Sequence, residues 1–284
     1  MKIAFWSGQE KAGTTFNTAV IACASVLLYP LTAAVVSGRY GNRDLERKFW
    51  QGKQDACTIP WEDKGQECPS EDIAAEQPGY YVERGLGCLM RKERPHEMTR
   101  QLVKANMRQV VEGRMYCMPA SRKADCAWGG QAGCLVRLRQ AIAAVDRYFD
   151  VVFIDCGSKR DELASALLDE ADLCVLNMAQ GREQIGDYLR DFPGLRQKTF
   201  FLVGNYYRNG RYTRRDIERI YRIEEHMLGA IPYNPQMQAA ADSGMAERGI
   251  RRFLGDGMRG KSVEFEQELM RAARLILKRA GAIE

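Results

Sequence analysis

The sequence predicts a layered α/β fold, a mostly parallel central sheet flanked by helices. Two observations carry that prediction. Short apolar runs (KIAFW, TAAVVS, VVFIDC, LCVLN and TFFLVGN) alternate with longer segments of helical periodicity, which is the pattern of parallel βαβ units. The runs are apolar almost throughout, as strands covered on both faces must be. Right-handed crossovers then gather the strand ends on one edge, where a site is expected.

The elements follow in order. KIAFW opens as a strand and runs into the turn Gly8–Thr15, with a helix expected over about Thr14 to Leu28. Pro30 separates it from strand TAAVVS, which ends at Ser37. The polar turn GRYGNRD leads to a short helix near Leu45 to Trp50. From Gln51 to Gly79 glycine, proline, glutamate and glutamine break the pattern, and GYYV reads as a brief strand or turn. GLGCLMRK begins a new piece. Pro95 to Val111 reads as one helix, followed by strand RMYCMP. After the irregular stretch Ala120 to Gly133, a helix over Leu135 to Arg147 aligns Leu135, Leu138, Ile142 and Val145. Strand VVFIDC then closes on a carboxylate. Helix Arg160 to Glu170, strand LCVLN, helix Arg182 to Asp191, strand TFFLVGN, a helix over Thr213 to Leu228, the segment LGAIPY and an amphipathic last helix complete the chain. Residues 1–284 are read as a single domain with irregular insertions at about 51–79 and 120–133.

Composition bounds the class. At 45% apolar and 28% charged, with nine prolines, the chain is a folded globule rather than a disordered one. Its net charge of +5 names no partner. The absence of charge between Ala12 and Gly38 resembles a membrane span. Pro30, Gly13, Thr14, Thr15, Asn17, Thr18, Ser25 and Thr32 argue instead for a buried helix and strand. Nine cysteines with no CxxC pair, and only His96 and His226 beside them, fit buried thiols in a reducing cytoplasm better than a zinc site.

The turn after the first strand carries the chemistry. Backbone N–H groups of such a turn can surround a phosphate, and the helix N-terminus adds favourable potential. Gly8, Gln9, Lys11, Ala12, Gly13, Thr14 and Thr15 are the candidates for this cradle, with a threonine hydroxyl available to Mg²⁺. Gly13 stands where a phosphate-binding loop places its lysine, Lys11 is the nearest cation, and Glu10 opposes a polyanion. The same residues also suit an ordinary strand–turn–helix connection. Asp155 closes its strand as a carboxylate organising a metal's shell would. Asn17 could brace the loop, Asn205 could present an amide to a purine, and IPYNP could form a rigid wall beside a base.

In this order, IAFWSGQEKAGTTFNTAVIA, AAVVSGRYGNRDLERKF, YFDVVFIDCGS, ADLCVLNMAQ, FLVGNY and LGAIPYNPQMQAAADSG resemble the ParA/MinD family of deviant Walker A ATPases. The nearest branch is the TadZ-like group associated with polar placement of Tad pilus machinery. The resemblance runs from Met1 to about Ile276. It implies a P-loop NTPase-like three-layer domain that binds ATP–Mg²⁺ in a homodimer. It also implies Gly8 to Thr15 around the phosphates, Thr14 on Mg²⁺, Asp155 in the Walker B and catalytic role as a Mg²⁺-shell carboxylate, and Asn205 with Pro232 near the base. The Walker A loop is degenerate: Gly8 and Gly13 stand at the two lysine positions in an ungapped reading. No aspartate follows the second strand until Asp44. Lost positive charge harms phosphoryl transfer more than binding.

The function expected is therefore an ATP-binding switch with weak or absent hydrolysis that positions or scaffolds a complex such as a pilus or secretion assembly. The alternatives are a nucleotide-independent scaffold and a DNA-partition ATPase. Six arginines between Arg208 and Arg222 offer non-specific DNA contact or a solvated helix face. The last helix offers peripheral membrane contact or plain core packing. The location expected is cytoplasmic, at the membrane periphery or the cell pole in the switch reading.

Overall fold

The structure, a computed structural model, describes residues 1–50, 85–92, 94–120, 130–159, 161–180, 193–210, 212–255 and 261–284. Its strands are β1 (Lys2–Trp6), β2 (Ala33–Ser37), β3 (Arg108–Val111), β4 (Met115–Met118), β5 (Val151–Gly157), β6 (Leu173–Met178), β7 (Thr199–Tyr206) and β8 (Leu228–Pro232). They form one sheet in the order β3-β4-β2-β5-β1-β6-β7-β8. Every pairing is parallel except β3 with β4.

Ten α-helices are described: α1 (Thr14–Leu28), α2 (Asp44–Arg47), α3 (Leu86–Met90), α4 (Arg100–Ala105), α5 (Gly130–Asp146), α6 (Glu162–Glu170), α7 (Arg214–Tyr221), α8 (Pro235–Asp242), α9 (Ala246–Gly255) and α10 (Lys261–Ala280). They cover both faces of the sheet. Ile3 and Phe5 of β1 join a core with α1, α8, α9 and α10. Ala4 and Trp6 point the other way, into a core with α3, α4, α5, α6 and α7. Alternate side chains thus enter different cores, and this is why the strands carry apolar residues at nearly every position.

The uncharged stretch has the same origin. Helix α1 is buried along most of its length, from Thr14 to Val26, and packs against α9 and α10 as well as the sheet. Among the described residues no helix is long and apolar enough to cross a membrane. In α10, Phe265, Leu269, Ala272 and Ile276 are buried, so its apolar stripe faces the core and its charged side faces water. Cys23, Cys117, Cys134, Cys156 and Cys174 are buried thiols, and burial pushes Cys174 up to about 12.

The short helix expected near Leu45 to Trp50 ends at Arg47, and two longer expected helices are also shorter than the sequence suggests. Pro95 to Val111 divides into a 3-10 turn at Pro95–Glu97, helix α4, and strand β3. Gly113 (φ 67°) turns the chain so that Arg108 and Gln109 pair with Cys117 and Tyr116 of β4, and Val110 and Val111 suit a pleated surface. The helix expected from Thr213 to Leu228 ends at Tyr221, because Arg222 adopts a left-handed conformation (φ 52°). A 3-10 turn and β8 follow. The helix expected at Arg182 to Asp191 and the segments Gln51–Gly79 and GYYV lie outside the described residues. So do residues 121–129 of the second irregular stretch, while residues 130–133 open α5.

Candidate functional site

Parallel pairing sends β1, β2, β5, β7 and β8 toward one edge of the sheet. The loop after β1 therefore lies beside the ends of the others, where the strand order changes direction and α/β ligand sites form. A cleft of about 650 Å³ opens there. Its lining includes Gln9, Lys11, Ala12, Gly13, Thr14, Thr15 and Asn205, all expected from the sequence. Asp155 is 0% exposed and lies beneath the cleft, hydrogen-bonded to Thr15 of the lining. Gly8 precedes the lining Gln9, and Pro232 is buried one residue before the lining Tyr233.

The loop takes its shape from residues with unusual backbone conformation. Lys11 has φ 62° and Gly13 has φ 81°, both left-handed, the former unusual for a residue with a side chain. Gly13 is the N-cap of α1 and no side chain caps the helix there. The first amides of a helix have no partner within it, so those of α1 are available to a group in the cleft. Beneath the loop, Asn17 donates from Nδ2 to Asn177 Oδ1 at 2.9 Å, and Asn177 donates to the Trp6 carbonyl at 3.3 Å. Asn17 thus ties α1 to β6 and, through Asn177, to the end of β1 beneath the loop; the strand LCVLN alone does not reveal the part Asn177 plays. Gly204 of β7 passes so close that an added Cβ would lie 2.6 Å from the Ala12 carbonyl oxygen.

The centre of the site is a three-membered cluster. Thr15 Oγ1 donates to Asp155 Oδ2 at 2.7 Å. Arg39, two residues beyond β2, donates from Nη2 to Thr15 Oγ1 and to Asp155 Oδ2, each at 3.1 Å. The other carboxylate oxygen, Oδ1, accepts the Gly157 N–H at 2.9 Å. Gly157 has φ 69°, and a Cβ there would come within 2.4 Å of Arg39 Cδ. The backbone thus leaves a slot that the Arg39 side chain fills. Sequence reasoning missed Arg39. Its signal is the GRYGN turn after β2, which carries a cation where the resemblance asks for a carboxylate.

The resemblance implies Mg²⁺ on Thr14 and Asp155, but the hydroxyl that meets Asp155 is that of Thr15, and this arrangement does not fit Mg²⁺ beside Thr15 and Asp155. Magnesium requires oxygen ligands at about 2.0–2.1 Å in octahedral geometry. Here the threonine hydroxyl and the facing carboxylate oxygen already share one guanidinium nitrogen. The cleft walls carry Lys11, Arg39, Arg47 and Lys48 as cations and Asp44 and Asp242 as carboxylates. Arg47 pairs with Asp44 at 3.4 Å and Lys48 with Asp242 at 2.6 Å. The hydrogen bond from Lys48 holds the Asp242 carboxyl below its usual range. Tyr207 and Tyr233 are partly exposed and pack with ring centroids 5.4 Å apart near Asn205.

The chain matches no protein-family profile, and no curated protein is similar to it in sequence. Solved structures are similar over nearly the whole chain. A ParA family ATPase from Chlorobium tepidum is 13% identical with a TM-score of 0.66, covering 96% of this chain and 97% of that one. The septum site-determining protein MinD of Pyrococcus horikoshii, complexed with Mg-ADP, is 14% identical with a TM-score of 0.65, covering 99% and 97%. The MinC:MinD cell division complex of Aquifex aeolicus gives 15% identity and a TM-score of 0.64, covering 98% and 96%. The fold of this chain is that of the ParA/MinD-family P-loop ATPases.

Proposed function

We propose that the cleft binds a nucleoside polyphosphate, with ATP the expected ligand, and that the protein is a ParA/MinD-like switch with little or no hydrolysis. The observation that carries this reading is the uncapped N-terminus of α1 behind Gly13, opening on a cleft lined by Lys11 and Arg39. Backbone amides, helix potential and two cations suit a polyanion together. Gly8 through Thr15 would surround the phosphates, and Asn205 with the Pro232–Tyr233 corner would meet the base.

Weak turnover follows from the charges. Phosphoryl transfer needs positioned groups that respond to developing negative charge and orient the attacking nucleophile. Asp155 already accepts three hydrogen bonds, and a guanidinium follows β2. Holding such a ligand without rapidly destroying it suits a homodimeric positioning or scaffolding protein, such as one that places a pilus or secretion assembly. The TadZ-like resemblance points to the Tad pilus.

A nucleotide-independent scaffold is the second reading, and the Arg39–Asp155 pair favours it by satisfying the site internally. The test is an ATP and ADP titration with the monomer–dimer balance recorded throughout. ATP binding coupled to dimer formation supports the switch. No affinity for either nucleotide supports the scaffold. DNA contact would rest on the exposed Arg215, Arg219 and Arg222, and would show as salt-sensitive retardation without sequence preference.

A further inference from the structure

We propose that Arg39 is the resident cation of this site, standing in for a divalent ion between Thr15 and Asp155, so that the cleft takes its polyphosphate ligand in metal-free form. The inference rests on the nucleotide reading above and adds which chemical form of the nucleotide is bound.

Three features of the structure support it. First, the cluster is closed. One guanidinium nitrogen lies 3.1 Å from each of the two oxygens a metal would recruit, and those oxygens are joined to each other at 2.7 Å. A divalent ion could enter only after Arg39 left, because the two positive charges would otherwise compete for the same carboxylate. Second, three of the roughly four acceptor sites of Asp155 are filled. Its oxygens accept from Thr15, Arg39 and the Gly157 amide, and the residue is fully buried. It has little capacity left to order a metal's water shell. Third, the backbone is shaped around the arginine. Gly157 lacks the Cβ that would collide with Arg39 Cδ and Nε, and it holds a left-handed conformation at that point.

The arginine also has what a phosphate needs. Guanidinium carries five donors in a planar fork and binds phosphate oxygens in pairs. Nη2 serves the cluster and Nε is buried against Gly157, so it is the exposed end of the guanidinium that can meet a phosphate. The side chain lines the cleft and remains 26% exposed. A fixed cation of this kind neutralises Asp155 without an exchangeable ion, so that the net positive charge of the lining is that of Lys11.

The test uses the full-length chain with ATP as probe, in excess EDTA and in excess Mg²⁺. Wild-type affinity is expected to differ by less than about threefold between the two conditions. Arg39→Gln is expected to lose about tenfold or more in EDTA and to recover part of that loss with Mg²⁺. Wild-type affinity that rises tenfold or more with Mg²⁺ would overturn the proposal.

A second arm needs no nucleotide. Unfolding midpoints of Arg39→Gln, Asp155→Asn and the double variant form a cycle. A double variant more stable than the sum of the single losses supports a cation seated on Asp155, and strict additivity overturns it. If ATP binds under neither condition while the cycle shows coupling, the nucleotide reading fails and the seating of Arg39 stands. Should Arg39→Gln not fold, Arg39→Lys keeps the charge without the fork. It is expected to bind ATP in EDTA more weakly than wild type, and a Mg²⁺-dependent Arg39→Lys with a Mg²⁺-independent wild type would still support the assignment.

Discussion

The N-termini of α1 and α7 both follow a loop, both carry threonine, and both lie near basic residues, yet they are finished differently. At α7 the Thr213 side chain accepts the Asp216 N–H while Asp216 accepts from Thr213, a complete capping box. At α1 the N-cap is Gly13 in a left-handed conformation, with no side-chain cap. The arginines differ in the same sense. Arg219 is 81% exposed and bonds within its own helix at i,i+3, whereas Arg39 reaches across 116 residues of sequence to a buried carboxylate. A helix end closed by its own side chains is structural. One left open beside fixed cations is the arrangement that the proposed nucleotide site requires.

The comparison breaks most severely at Asp155. Asp155→Ala leaves Arg39 without its carboxylate and is expected to destabilise the fold by about 3 kcal/mol, seen in denaturant unfolding. Gly157→Ala comes next. It combines a strained backbone with a clash against Arg39 and is expected to cost about 2 kcal/mol and to weaken ATP binding by displacing the arginine. Thr213→Ala removes only a cap. A loss of about 1 kcal/mol with unchanged ATP affinity is expected, so a large affinity change there would undo the contrast between the two helix ends.

The smallest effect has a pH signature. Burial raises the Glu46 carboxyl above its ordinary value, despite the lowering from the Ala120 N–H it accepts at 2.6 Å. A carboxyl raised on folding holds its proton more tightly in the folded chain. Stability from that proton is present below the unfolded value and is lost as pH rises through the folded one. Glu46→Gln, which keeps the acceptor and drops the charge, is expected to gain up to about 1 kcal/mol at neutral pH. Thermal unfolding across pH should show the gain vanish in acid.

How much of this was legible in the sequence varies with distance along the chain. Strands β1, β2, β5, β6 and β7 were readable because burial on both faces demands unbroken apolar runs. The loop was readable because Gly8 opens it and Gly13, Thr14 and Thr15 close it in succession directly after an apolar strand. The boundaries of α4 and α7 were not, since a hairpin at Gly113 and a left-handed Arg222 override periodicity that continues past them. Arg39 was the main omission. Its meaning depends on Thr15, Asp155 and Gly157 meeting in space, and no local pattern around GRYGN encodes that meeting.

The most direct measurement is a titration of ATP, in EDTA, followed through backbone amide resonances of the labelled protein. The account predicts that Gly13, Thr14 and Thr15 shift with saturable dependence on ATP while Arg214, Arg215 and Asp216 at the start of α7 stay in place. Saturating ATP that leaves the first amides of α1 unmoved, or moves the two helix ends alike, would contradict it.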